Sequence, residues 1–252
     1  MTAFFALVFA LSVPCWLLGA ITEHGLFPGV PVSALMVFAP GLAASILVYR
    51  REGAIAAAAL LRRIVDYRRI TPTTWYLPIL ILMPSAMLLT YELTRMLGVD
   101  IQTDTVTVAG ATRLLGIFFI AAMGEELGWS AYAIEVLQRR LSALAASLML
   151  GIVWAGWHLV PLLQAGRAPD WIAWWCLYAV ALRVLHTWLY NNTNRSVFGA
   201  ALFHAVCNTS WQLFPIAGSH WDPRIGAPIV AGIAAVVAII WGPRTLSRFK
   251  NP

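Results

Sequence analysis

The chain has 252 residues, of which 60% are hydrophobic and only 11% charged, with a formal net charge of +6. Soluble domains run near about 45–50% apolar and about 25% charged, so a soluble globular fold is excluded: a core of this size cannot hide that much apolar surface, whereas lipid can. The positive charge sits in short loops between apolar runs, which reads as membrane topology and argues against a nucleic-acid partner.

A membrane-crossing helix needs about 20 mostly apolar residues. Candidate spans fall at residues 3–20, 29–49, 74–97, 108–129, 142–163, 170–190, 196–214 and 226–242. The fold class expected is therefore all-α, a polytopic bundle of about eight transmembrane helices forming one transmembrane domain over residues 1–252. Helices are expected rather than barrel strands because the runs are long and uniformly apolar, and lipid-facing backbone must satisfy its own hydrogen bonds. The first run lacks Lys and Arg, so it reads as a span that stays in place rather than as a secretory signal. The stretch Ala54–Leu61, flanked by Arg62, Arg63, Arg68 and Arg69, reads as a short interfacial helix. The fourth span is expected to continue as helix through Ala131–Gln138, since no Gly or Pro stops it. Gly25–Pro31, Thr71–Thr74, Gly166–Asp170, Asn191–Ser196 and Pro215–Pro228 read as loops. Cys15, Cys176 and Cys207 lie inside apolar runs, with no spacing that suggests a disulfide framework or a zinc knuckle.

Arginine placement orients the bundle. With the N-terminus inside, the inner segments carry Arg50, Arg51, Arg62, Arg63, Arg68, Arg69, Arg139, Arg140, Arg195, Arg244, Arg248 and Lys250, and the outer loops only Arg167 and Arg224. The expectation is an integral protein of a bacterial cell membrane with both termini cytoplasmic.

Ionisable residues inside spans are expensive and read as functional candidates. Here they are Glu92, the adjacent pair Glu125 and Glu126, His158, Arg183, His186 and His204, with Asn208 beside them. Adjacent carboxylates on a helix point about 100° apart, so one can face a site while its neighbour fixes it from behind. The alternative is a carboxylate pair bonded to a neighbouring arginine. His204 and Asn208 are four apart and share a helix face, which suggests a shared target; the alternative is a polar contact between helices, as it is for His158. His186 reads as structural or interfacial, and Arg183 as a counter-ion for one of the paired glutamates or for Glu92. His24 and His220 read as solvated loop residues. No H-E-x-x-H, G-x-S-x-G or Walker-type motif occurs.

Three segments on separate spans, Glu125-Glu126-Leu-Gly-Trp-Ser130, Trp154-Ala-Gly-Trp-His158 and His204-Ala-Val-Cys-Asn208, resemble the CAAX-protease and bacteriocin-processing family (CPBP, or Abi), whose pattern is E-E-x-x-x-R, F-x-x-x-H and H-x-x-x-N. The stretch Thr187–Ser196 resembles its bacterial members, and the likeness covers a catalytic core at roughly 110–210. Trp154 stands for the Phe and Ser130 for the Arg. The second change leaves three alternatives: another cation such as Arg183 takes over, the second carboxylate is protonated, or activity is impaired.

The resemblance implies an intramembrane endopeptidase acting on a peptide or membrane-protein substrate in the lipid bilayer. Glu125 and His158 would hold and activate a water, His204 and Asn208 would stabilise the oxyanion, and Glu126 would position Glu125. A metal-assisted version has Glu125, His158 and His204 as ligands to a divalent cation such as zinc, a His₂Glu set with an open position. For those side chains to reach one height, a helix break near Gly156 and Pro161 is expected. Competing readings are a non-catalytic member serving as immunity factor or scaffold, a rhomboid-like serine protease using Ser130 with His204 or His158, and a transporter. The serine reading leaves the glutamate pair unexplained, and no inverted repeat supports the transporter.

Overall fold

The computed structural model describes residues 1–22, 25–103 and 105–247; His24, Arg248 and Lys250, discussed above, lie outside them. The chain is a bundle of helices with one two-stranded hairpin. Helix α1 (Thr2–Ile21) leads to strands β1 (Gly25–Phe27) and β2 (Val30–Pro31), then a 3₁₀ segment at Val32–Phe38 that runs into α2 (Ala39–Glu52). The hairpin occupies a stretch expected to be loop; Gly29, at φ 78°, supplies the left-handed residue its tight turn requires. Helix α3 (Ala54–Arg62) is the predicted interfacial helix, with Ile55 and Leu61 left exposed. Then follow α4 (Tyr76–Met96), α5 (Val108–Gly128) and α6 (Glu135–Gln138), joined by a π-helical stretch, Trp129–Ile134. Helices α7 (Ala143–Trp157), α8 (Leu159–Gln164), α9 (Pro169–Asn192), α10 (Val197–Leu213) and α11 (Pro223–Trp241) complete the bundle.

Among the described residues, seven helical segments are long and apolar enough to cross a membrane. The remaining predicted span, 196–214, is α10, whose 17 residues amount to about 26 Å at 1.5 Å per residue, at the short end of what crosses a hydrocarbon core of about 30 Å. It is the interior helix of the bundle, mostly buried against α4, α5 and α9. Its N-terminus is held inside the protein. The Asp66 carboxylate accepts from the Val197 and Phe198 amides at 3.2 and 3.0 Å and from Ser196 Oγ at 2.8 Å, while Ser196 Oγ accepts from Gly199 N at 3.0 Å. A carboxylate at that end satisfies orphan N–H groups and complements the helix dipole.

Two features position the glutamate pair on α5. Gly124 and Gly128 let α2 approach closely: a Cβ on Gly128 would lie 2.4 Å from Pro40, and one on Gly41 would lie 2.6 Å from the Gly124 carbonyl oxygen. Small residues at four-residue spacing commonly allow this approach between membrane helices. Immediately after the pair, the helix widens into the π-helical stretch, a deviation that recurs at functional sites.

The two ends of the bundle differ. At the end bearing the chain's arginine-rich segments, Arg63 donates to Glu135 (2.9 Å), to the Tyr190 hydroxyl (2.6 Å) and to the Arg195 carbonyl (2.7 Å). Asn191 donates to Gln138 and to the Thr245 carbonyl, each at 2.8 Å, and Asn192 donates to the Leu246 carbonyl at 2.7 Å. At the opposite end, Gln164 donates to the Trp16 carbonyl (2.8 Å) and Gln212 to the Pro28 carbonyl (3.1 Å), tying the hairpin segment to α10.

Candidate functional site

Glu125, Glu126, His186 and His204 lie together in the interior, all nearly inaccessible. Glu126 is the hub. Its carboxylate accepts from Arg183 Nη1 (3.2 Å to Oε1 and 3.0 Å to Oε2) and from Arg183 Nη2 (3.2 Å). It also accepts from His204 Nδ1 at 2.9 Å and from the Ser130 hydroxyl. Of the alternatives left open for the missing motif arginine, the geometry matches the first: a guanidinium from α9, with a serine hydroxyl, occupies the place beside Glu126. Arg183 is itself stacked over the Trp154 ring at 4.6 Å, which fixes the plane of its fork.

Glu125 sits differently. Its Oε2 accepts from the indole N–H of Trp154 at 2.8 Å and of Trp129 at 3.2 Å, and Oε1 lies 4.0 Å from His204 Nε2. The Trp154 that replaces the family Phe thus adds a donor to the carboxylate. His158 falls between α7 and α8, at the break expected near Gly156 and Pro161. Its Nδ1 donates to the Trp154 carbonyl at 2.8 Å; a carbonyl can only accept, so Nε2 keeps its lone pair.

A cavity of about 400 Å³ is lined by Glu125, His158, His204 and Asn208 together with aromatic side chains including Trp154 and Trp175. Asn208 makes no side-chain hydrogen bond among the described residues, which leaves its amide available to a guest. Glu126, Arg183, His186 and Ser130 lie behind that wall. A larger groove of about 600 Å³ between α4, α5 and α10 contains no carboxylate or imidazole, so volume alone does not mark the chemistry.

Two expectations change. Glu92 is not an intramembrane carboxylate of the site: it is half exposed near the end of α4 and pairs with Arg95 at 3.5 Å. His186, expected to be structural or interfacial, is buried beside Glu126, with Nε2 3.9 Å from Oε1, which removes the interfacial alternative and leaves the structural one. The sequence held one signal for it, an imidazole three residues after Arg183, but not its distance from α5. His220 is half buried in the loop after α10.

For a metal ion the tightest set of donors is Glu126, His186 and His204, with ligand atoms within 4.8 Å of one another. The set expected from sequence, Glu125, His158 and His204, is gathered less closely. Donor chemistry separates the two. Both oxygens of Glu126 are already engaged by a cation, although His186 Nε2 has no hydrogen-bond partner. On the cavity side, His158 Nε2, His204 Nε2 and Glu125 Oε1 are uncommitted, and the His204 Nδ1–H bond to Glu126 is the carboxylate–imidazole pairing that orients metal-binding histidines. Two imidazole lone pairs and a carboxylate suit a divalent cation.

The family model described as type II CAAX prenyl endopeptidase, Rce1-like, matches residues 107–210, which contain all the residues of this cluster. A curated relative, CAAX prenyl protease 2 of Methanococcus maripaludis, is 26% identical over 239 residues, covering 84% of this chain and 84% of its own length.

Proposed function

We propose that the chain, whose residues 107–210 match the model of Rce1-like, type II CAAX prenyl endopeptidases, is an intramembrane peptidase in which Glu125 activates a water against a peptide bond held in the cavity. The single observation that carries this reading is the placement of Glu125, His158, His204 and Asn208 around one cavity inside a largely apolar bundle.

Hydrolysis needs a base for the water, a donor for the oxyanion and exclusion of bulk solvent. Glu125 is the base: its Oε2 is fixed by two indole N–H groups, which leaves Oε1 to take the proton of the attacking water. His158 Nε2, a lone pair on the cavity, accepts that water's second hydrogen and orients it. Asn208 donates to the oxyanion as the carbonyl carbon becomes tetrahedral. His204 donates its Nδ1–H to Glu126 and presents Nε2 toward Glu125 Oε1 across 4.0 Å, so a water between them would carry the proton from Glu125 to His204, which passes it to the departing amine. Glu126, neutralised by Arg183, acts only through His204. A divalent cation, if bound, would be held by Glu125, His158 and His204 and would supply Lewis acidity to the water and the carbonyl. The substrate is a peptide or a membrane protein presented in the bilayer, and a prenylated C-terminal peptide is the first to try, because the relative is named for one.

The test compares wild-type protein and Glu125→Ala, both in membranes, for cleavage of a prenylated-peptide panel with and without a strong chelator. Loss of cleavage by at least about 100-fold in the variant is expected. Sensitivity to the chelator selects the metal-assisted version. Two folded but equally silent proteins would overturn the peptidase reading in favour of a non-catalytic scaffold.

A further inference from the structure

Toward one end of the bundle the cavity is lined by residues of three segments: the β1–β2 hairpin, the turn between α8 and α9 with the first turn of α9, and the loop after α10. Their lining side chains are almost entirely apolar or aromatic: Leu26, Phe27, Pro31, Trp171 and Trp221. The exception is Arg167. It lies on the cavity wall that also bears Glu125 and His158, in the turn made by Gly166 at φ 69°.

Arg167 differs from the other loop arginine at that end. Arg224 is held by Asp222 at 2.8 Å. Arg167 meets no carboxylate among the described residues. Its guanidinium lies over the Trp171 ring at 4.6 Å. Stacking uses the face of the guanidinium and leaves its in-plane N–H groups free to donate, and Arg167 is among the side chains that line the cavity. Burial draws its pKa down from the ordinary arginine value, the direction expected of a cation partly withdrawn from water and given no counter-ion.

A half-buried, unpaired guanidinium at the mouth of an apolar cavity is a receptor for an anion. A peptide that enters by its end carries one fixed negative charge there, the terminal carboxylate, whose two oxygens match the guanidinium fork. Glu125, on the catalytic wall, is the one carboxylate among the side chains that line the cavity. The opposite end of the bundle carries the Arg63–Glu135–Tyr190 bonds with Asn191 and Asn192, and none of these residues lines the cavity. We propose that Arg167 is a substrate-binding residue that pairs with the C-terminal carboxylate of the peptide, selecting substrates by their free chain end. The proposal rests on the peptidase reading for the identity of the guest.

The test measures binding rather than turnover. Purified full-length protein carrying Glu125→Gln, in detergent micelles, is titrated with a dansyl-labelled peptide free of Asp and Glu, as the free acid and as the C-terminal amide. Energy transfer from the cavity tryptophans reports binding. A charge-assisted bond is worth about 1.5–3 kcal/mol, so the acid is expected to bind about tenfold or more tightly than the amide. Adding Arg167→Gln should erase that preference, and Arg167→Lys should retain part of it. An acid preference that survives Arg167→Gln, or its absence in the parent, overturns the proposal. So does equal displacement of both peptides by phosphatidylglycerol that depends on Arg167, which would assign the residue to a lipid headgroup. An Arg167-dependent acid preference in a protein whose wild type cleaves nothing would sink the peptidase reading and leave the carboxylate site standing.

Discussion

Glu125 borders the cavity and accepts only indole N–H bonds, whereas Glu126, one residue on, is held by a guanidinium, a hydroxyl and an imidazole with no access to the cavity. The roughly 100° step between neighbours on a helix is enough to put one carboxylate on the wall and the other behind it. The difference teaches how a helical bundle holds two adjacent buried carboxylates in different settings. Neutral donors fix the cavity carboxylate without cancelling its charge, so it keeps an oxygen for a proton. The full counter-charge is spent on its neighbour, which then orients His204.

The strongest way to break this contrast is to remove the counter-charge. Arg183→Met leaves Glu126 buried without a cation, and breaking one partner of a buried pair costs about 3–5 kcal/mol. A large drop in thermal midpoint in detergent is expected, and Arg183→Met combined with Glu126→Gln should recover much of it. If the single variant melts like the parent, the pair is not what holds the inner layer.

Asn208→Ala probes the cavity layer alone. Removing one oxyanion donor lowers kcat by about 100- to 1,000-fold, and because Asn208 has no described hydrogen bond to lose, the melting temperature should hold. A matching loss of stability would move Asn208 from the chemistry to the packing.

The smallest effect is expected from Ser130→Ala. One hydroxyl donor to Glu126 is lost while Arg183 stays, so stability should fall by about 1 kcal/mol and cleavage by only a few-fold. Abolished cleavage in that variant, with the fold intact, would instead revive a serine nucleophile at Ser130.

Much of the architecture was legible because lipid is a demanding solvent. Runs such as Thr2–Ile21 and Pro223–Trp241 had no alternative to spanning helices. The cost of polar groups in such runs singled out Glu125, Glu126, His158 and His204 before any contact was known. The same rule over-reached at Glu92, whose span ends near it, so the carboxylate meets Arg95 at the surface. It left His186 open between a structural and an interfacial place, because proximity to a helix end says nothing about which neighbour covers that end.

Composition and hydropathy by themselves determined that this chain is a helical membrane protein, since 60% apolar residues have no other stable home. The short motifs determined which polar residues were worth watching. Only the tertiary structure decided that α10 is an interior helix capped by Asp66, that Arg183 stands beside Glu126 where a motif arginine was missing, and that Glu125 rather than Glu126 faces the cavity. The physical reason is that hydropathy is a property of each segment, whereas charge compensation depends on which helices lie side by side, and that is set by packing contacts such as Gly128 on Pro40.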